Sequence, residues 1–321
     1  MSTPFTETAG FPVNEPNLVA SYSPIMIDRP GRPVPMEIKV SLPLTGTNLP
    51  VILLSHGHGA TNFLASIRGY GPLVDFWAAH GFVVIQVTHL DALGLGLRDT
   101  DLPDASVFWY DRALDMHYIL DHLDELEAAV PALAGRMDRD RIVAAGHSMG
   151  GHTVSLLLGM QVQDPDDHRK KDLSDSRIKA GVILAAPGVA DEYLADWLKQ
   201  NYPVNLYTDF STMTGAALVV AGDKDLNLNF SSRLSYRSDA YTQSPSGNKT
   251  LLTVHGAEHM FGGISGYDAS ECTDENPERV AALRALIWAY FRSQLYPEDT
   301  AWADAVALLG SPDAFGQVES K

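Results

Sequence analysis

Short apolar runs recur along this chain, and longer stretches of helical periodicity stand between them. The runs are PVILLSHG (50–57), GFVVIQVTHL (81–90), RIVAAG (141–146), KAGVILAAPG (179–188), AALVVAGDKD (216–225) and KTLLTVHGAEH (249–259). A strand with one face in water alternates apolar and polar residues, whereas one that is apolar at every position is covered on both faces. The intervening segments supply the cover. A helix is expected within FLASIRGYGPLVDFWAAHG (63–81), a long one at about 107–129, one from Met149 to Met160, and one over 276–296 with Asn276 as its cap. Strand and helix in alternation predict an α/β fold, a mostly parallel central sheet with helices on both faces.

The ends read differently. Residues 1–20 are rich in Pro, Thr and Asn and are expected to form an N-terminal arm on the surface, ahead of one domain over 21–321. ASYSPIMI and VPMEIKVSLP flank the turn-rich DRPGRP and predict an antiparallel pair. QDPDDHRKKDLSDSR (163–177) reads as a charged surface excursion, and no internal repeat appears.

Charge and composition exclude several classes of partner. With 23 basic and 40 acidic side chains the formal net charge is −17, unsuited to nucleic acid or an anionic membrane. No apolar run is long enough for a membrane span. The single cysteine, Cys272, forbids a disulfide within the chain, and MSTPFTETAGFPVNEPN lacks the basic start and apolar core of a signal peptide. The expectation is a cytoplasmic enzyme acting on a small molecule, its oligomeric state open.

The strand RIVAAG runs directly into His147-Ser148-Met149-Gly150-Gly151 and a helix. Strand, Gly-x-Ser-x-Gly, helix is the pattern of a nucleophile elbow, a strained turn that lifts one hydroxyl above the sheet edge. There the helix N-terminus favours developing negative charge, and the N–H of Met149 is the expected first oxyanion donor. A serine hydroxyl needs a base, and the base an orienting acid, in the chain order Ser, Asp or Glu, His. Two carboxylates, Asp223 and Asp225, end one later strand; two histidines, His255 and His259, end the next; Asp191 is a further carboxylate in an earlier loop.

From about residue 35 to 296 the chain resembles the α/β-hydrolases. More narrowly, LLSHGHGA, AAHGFVVIQVTH and GHSMGG resemble the platelet-activating-factor acetylhydrolase, chlorophyllase-like and dienelactone-hydrolase-related esterases. The resemblance selects Asp225 from Gly-Asp-Lys-Asp as triad acid, leaving Asp223 to shape the loop. It selects His259 from Gly-Ala-Glu-His as base, with His255 a packed histidine and Glu258 facing solvent. It implies that His58, after His56-Gly57, gives the second oxyanion N–H, its side chain free to face the substrate. His56 is expected to pin that loop, and His147 to pack beneath the elbow.

His56 and His58 face opposite ways on an extended chain and lack a third ligand, so no metal is expected, nor any organic cofactor. Phe261, Leu93 and Trp197 are the expected substrate-pocket residues, and no large cap domain interrupts the strands. The expected reaction is hydrolysis of a carboxylic ester through an acyl-enzyme. Amide, thioester or lactone hydrolysis, acyl transfer, or a non-catalytic binding module on the same fold are the alternatives.

Overall fold

The structure, a computed structural model, describes residues 8–164, 167–266, 269–309 and 315–321. The strands, in chain order, are β1 (Val19–Ile27), β2 (Met36–Pro43), β3 (Leu49–Ser55), β4 (Val83–Thr88), β5 (Met137–His147), β6 (Ile178–Leu184), β7 (Ala217–Gly222), β8 (Lys249–Val254) and β9 (Gly316–Ser320). Among the described residues these nine form one sheet in the order β1-β2-β4-β3-β5-β6-β7-β8-β9. The six from β4 to β8 run parallel, while β1, β2 and β9 close the two edges antiparallel.

The parallel strands are apolar through most of their central residues because both faces are covered there; β5 carries the exposed pair Arg139 and Asp140 near its start and is continuously buried only from Ile142 onward. Every residue of β3 and β4 is buried. On one face Ile52, Leu54, Val143 and Val182 pack against α1 (Gly71–Ala79) and the C-terminal helix Pro277–Leu295. On the other, Val51, Leu53, Ile85 and Ile142 meet α2 (Trp109–Asp121) and α3 (Met149–Leu157). Asn276 caps the C-terminal helix, its side chain accepting the Arg279 N–H.

Several features depart from the sequence expectation. The long helix foreseen at 107–129 breaks at His122, whose Nδ1 lies 2.9 Å from the Tyr118 carbonyl, and resumes over Leu123–Ala129. Of the expected arm, residues 1–7 lie outside the described residues. The part from 8 to 18 is tied down: Phe11 is buried in the α1 face, and Asn17 N–H donates to the Ala79 carbonyl at 2.7 Å. The edge strand β9 was not foreseen, and Lys170–Lys171 of the charged excursion pairs with Gln161–Gln163, which also pairs with Thr208–Asp209, in a small second sheet. Residues 165 and 166 of that excursion lie outside the description.

Candidate active site

Parallel strands deliver their following loops to one edge of the sheet, so residues distant in sequence gather there. The loops after β3, β4, β5, β7 and β8 carry His56–His58, His89–Asp91, Ser148, Asp225 and His259 respectively. Ser148 sits at φ 54° and ψ −119°, a region that disfavours side chains and is held by close packing around the turn. A Cβ at Gly146 would meet the Gly150 carbonyl oxygen at 2.0 Å, and one at Gly150 would meet that of Ser55 at 2.0 Å. Only glycine fits at either position.

Ser148 lines a cavity of about 600 Å³ together with His58, Leu64, Asp225, Leu226, Leu228, Phe230, Arg237, His259 and Met260. Across it, His259 Nδ1 lies 2.7 Å from Asp225 Oδ2. The carboxylate accepts, so the imidazole proton is on Nδ1 and Nε2 is the basic nitrogen. Burial works to raise the Asp225 carboxyl, but His259 and Arg237 outweigh it and hold the group well below the usual carboxylate range. Arg237 Nε is 3.4 Å from the same oxygen. Among the described residues the Ser148 hydroxyl makes no hydrogen bond, so its link to His259 is not closed in this structure.

The other carboxylates are engaged elsewhere. Asp223 accepts the Gly256 N–H at 2.7 Å and shapes the loop, and Asp191 pairs with Arg233 at 2.7 Å. His255 corrects the expectation of a packed ring: it is exposed and borders a different cavity. Glu258 is half-buried in the cavity wall, where it accepts from the Thr273 hydroxyl.

The loop after β3 is gripped from behind. His56 Nε2 accepts the His89 N–H at 2.9 Å, which leaves Nδ1–H to donate to the Gly57 carbonyl at 2.6 Å. Burial, then Arg112, keeps that ring neutral. The His58 side chain is not free for substrate, contrary to expectation. Its Nδ1 donates to Asp91 Oδ2 at 2.7 Å, and its Nε2 accepts from the Tyr202 hydroxyl at 3.2 Å. Asp91 is in turn paired with fully buried Arg112 at 2.6 Å. Burial would raise the Asp91 carboxyl, but Arg112 and His58 hold it far below the usual range.

His147 packs under the elbow and joins three loops. Its Nε2–H donates to the His259 carbonyl at 2.9 Å, so its Nδ1 accepts from the Tyr70 hydroxyl at 3.0 Å. Tyr70 accepts the Gly57 N–H at 2.9 Å. Burial, with His259 beside it, pushes His147 down to about 3, and the ring bridges as a neutral group.

The expected pocket residues lie outside the cavity wall. Phe261, at φ 49°, turns into the core and is fully buried, and Met260 takes the wall position instead. Leu93 is exposed in a short turn over Leu93–Leu95. Trp197, also exposed, packs on Tyr202 and on Phe230, and Phe230 is the residue that reaches the cavity. Sequence reasoning missed Tyr70, Asp91, Arg112 and Arg237. The available signal was a charged pair, Arg112 and Asp115, on the apolar face of α2 beside Trp109, Met116 and Ile119.

No protein-family model matches the chain. Cutinase 1 of Thermobifida cellulosilytica is 23% identical over 269 residues, covering 84% of this chain and 76% of that protein. The cutinase of Thermobifida fusca (strain YX) is also 23% identical over 269 residues, 66% of its own length. The platelet-activating factor acetylhydrolase of Bos taurus is 28% identical over 179 residues, which span 44% of this chain and 36% of that protein. The chain has an α/β-hydrolase fold. Within the α/β-hydrolases its likeness is to ester hydrolases, and among the described residues no helix is long and apolar enough to cross a membrane. Nor, among them, do three or more His, Cys, Asp or Glu side chains gather as a metal site.

Proposed function

We propose that the protein hydrolyses carboxylic esters of small molecules through an acyl-enzyme, with Ser148 as nucleophile, His259 as base and Asp225 as its orienting acid. The observation that carries this reading is the 2.7 Å bond between His259 Nδ1 and a buried Asp225, facing Ser148 across one cavity. That bond fixes the tautomer with Nε2 as proton acceptor. His259 takes the Ser148 proton as Oγ attacks the ester carbonyl. The main-chain N–H groups of Met149 and His58 receive the oxyanion, and the alcohol leaves with the proton from His259. Water, deprotonated by the same imidazole, then releases the acid. Catalytic hydrogen bonds commonly tighten only when substrate is bound, which fits the open Ser148–His259 link.

Ser148→Ala is expected to lower kcat on a short p-nitrophenyl ester by on the order of 10⁶-fold and to abolish fluorophosphonate labelling, with an unchanged thermal melt. Full turnover in that variant would end the proposal. Faster cleavage of matched amides or thioesters than of esters would replace the substrate class while keeping the residues.

A further inference from the structure

In the loop from His56 to Ala60 the first and last peptide groups are held on both sides. In a planar trans peptide the C=O of one residue and the N–H of the next point in opposite directions. The His56 carbonyl accepts from Arg112 Nη1 at 2.8 Å, and on the other side the Gly57 N–H donates to Tyr70. The Gly59 carbonyl accepts from Arg98 Nη2 at 2.6 Å, and the Ala60 N–H donates to Glu271 Oε1 at 3.1 Å. Between them, the Gly57 carbonyl accepts from His56 Nδ1 and from Arg112 Nη2 at 3.3 Å. The matching donor, the His58 N–H, has no hydrogen-bond partner among the described residues, nor has the Gly59 N–H after it, and both residues stand in the cavity wall; of the two, only the His58 N–H belongs to a peptide held from behind, through the Gly57 carbonyl. An amide N–H left unpaired so near a buried network is costly unless a ligand atom takes it.

We propose that Arg112 is the positioning residue of the oxyanion site: its fork holds the His56 and Gly57 carbonyls and so turns the His58 N–H away from itself and toward Ser148. Its remaining charge is balanced by Asp91, which also locks the His58 ring. A guanidinium suits this task because it reaches two carbonyls and a carboxylate from two nitrogens in one plane, whereas a lysine presents all its donors on a single nitrogen. The inference rests on the proposed reaction and deepens it.

Two variants test it. Arg112→Lys keeps a cation beside Asp91 and gives up the fork; the double variant Arg112→Met/Asp91→Asn removes both charges, so no buried carboxylate is left alone. In whichever folds, judged by a cooperative melt, kcat on a p-nitrophenyl ester is expected to fall about ten- to a hundredfold with KM within about twofold. Inhibition by an alkyl boronic acid, which mimics the tetrahedral adduct, is expected to weaken by the same factor. A folded variant with kcat and boronate affinity both within about twofold of the parent overturns the proposal.

A structure of the unaltered protein with the boronate serves without any variant. An adduct oxygen within hydrogen-bond distance of the His58 nitrogen supports the assignment, and one held elsewhere overturns it. Fluorophosphonate labelling of the parent separates the two levels. A parent that does not label fails the reaction itself, whereas a parent that labels beside fully active Arg112 variants fails this inference alone.

Discussion

The cavity holds the same pair of side chains twice. On one side Asp91 Oδ2 meets His58 Nδ1 at 2.7 Å with Arg112 at 2.6 Å; on the other Asp225 Oδ2 meets His259 Nδ1 at 2.7 Å with Arg237 at 3.4 Å. Both histidines border the space in front of Ser148. They differ at the second ring nitrogen. Tyr202 occupies Nε2 of His58, whereas Nε2 of His259 takes no hydrogen bond among the described residues, and its ring is 30% exposed against 13% for His58. An aspartate bonded to a histidine is therefore not enough to mark a base. With both nitrogens used the pair is a pin; with one left over it is able to move a proton.

Four variants bear on that contrast. The largest effect is expected for Asp225→Asn, which inverts the tautomer of His259 and lowers kcat about 10⁴-fold. Asp91→Asn is expected to cost ten- to a hundredfold in kcat and to be the more destabilising, by about 3–5 kcal/mol, because Arg112 stays buried without its counter-charge. Kinetics and denaturant melts on both variants check this, and equal kinetic losses would erase the distinction.

A histidine with no hydrogen-bond partner among the described residues gives the baseline. His152 is fully buried with neither ring nitrogen bonded among them, and burial, then Arg112, pushes it down to about 3. Unfolding lets it bind a proton near its ordinary value of about 6.5. The unfolded state therefore holds more protons between those limits, and stability falls as pH drops from about 6.5 toward 3. His152→Leu is expected to flatten that slope by about 1.4 kcal/mol per pH unit, read from melts at pH 7, 5 and 4. An unchanged slope would mean that the ring is already charged in the fold. The smallest effect belongs to Tyr202→Phe, which frees Nε2 of His58 for a loss of about 1 kcal/mol in stability and kcat within about twofold. A large fall in kcat there would show that the Tyr202–His58 bond is itself needed for turnover.

The sheet was legible because β3, β4 and the second half of β5 are mostly apolar and buried at consecutive positions, as two-sided cover requires. The elbow was legible because Gly146 and Gly150 stand where no side chain fits. What stayed hidden was the polar network behind the loops. Arg112 and Asp115 lie on the buried side of α2, where periodicity assigns apolar residues, and their partners Asp91, His89, Arg29 and Arg32 come from segments far along the chain. Two charges on an apolar face hint at such a cluster, but no local pattern names its partners. Phe261 was misjudged for a related reason: proximity to His259 in sequence says nothing of direction, and its left-handed backbone turns the ring inward. The strand β9 is short and half-exposed, with little apolar signal of its own.

The bond from His147 to the main-chain oxygen of residue 259 separates shape from reactivity. What seats the loop is a carbonyl that every amino acid possesses, while the imidazole hangs from it as a replaceable tool. On the proposed reaction, a chain that lost that ring would keep the carbonyl that seats the loop and would lose only its base.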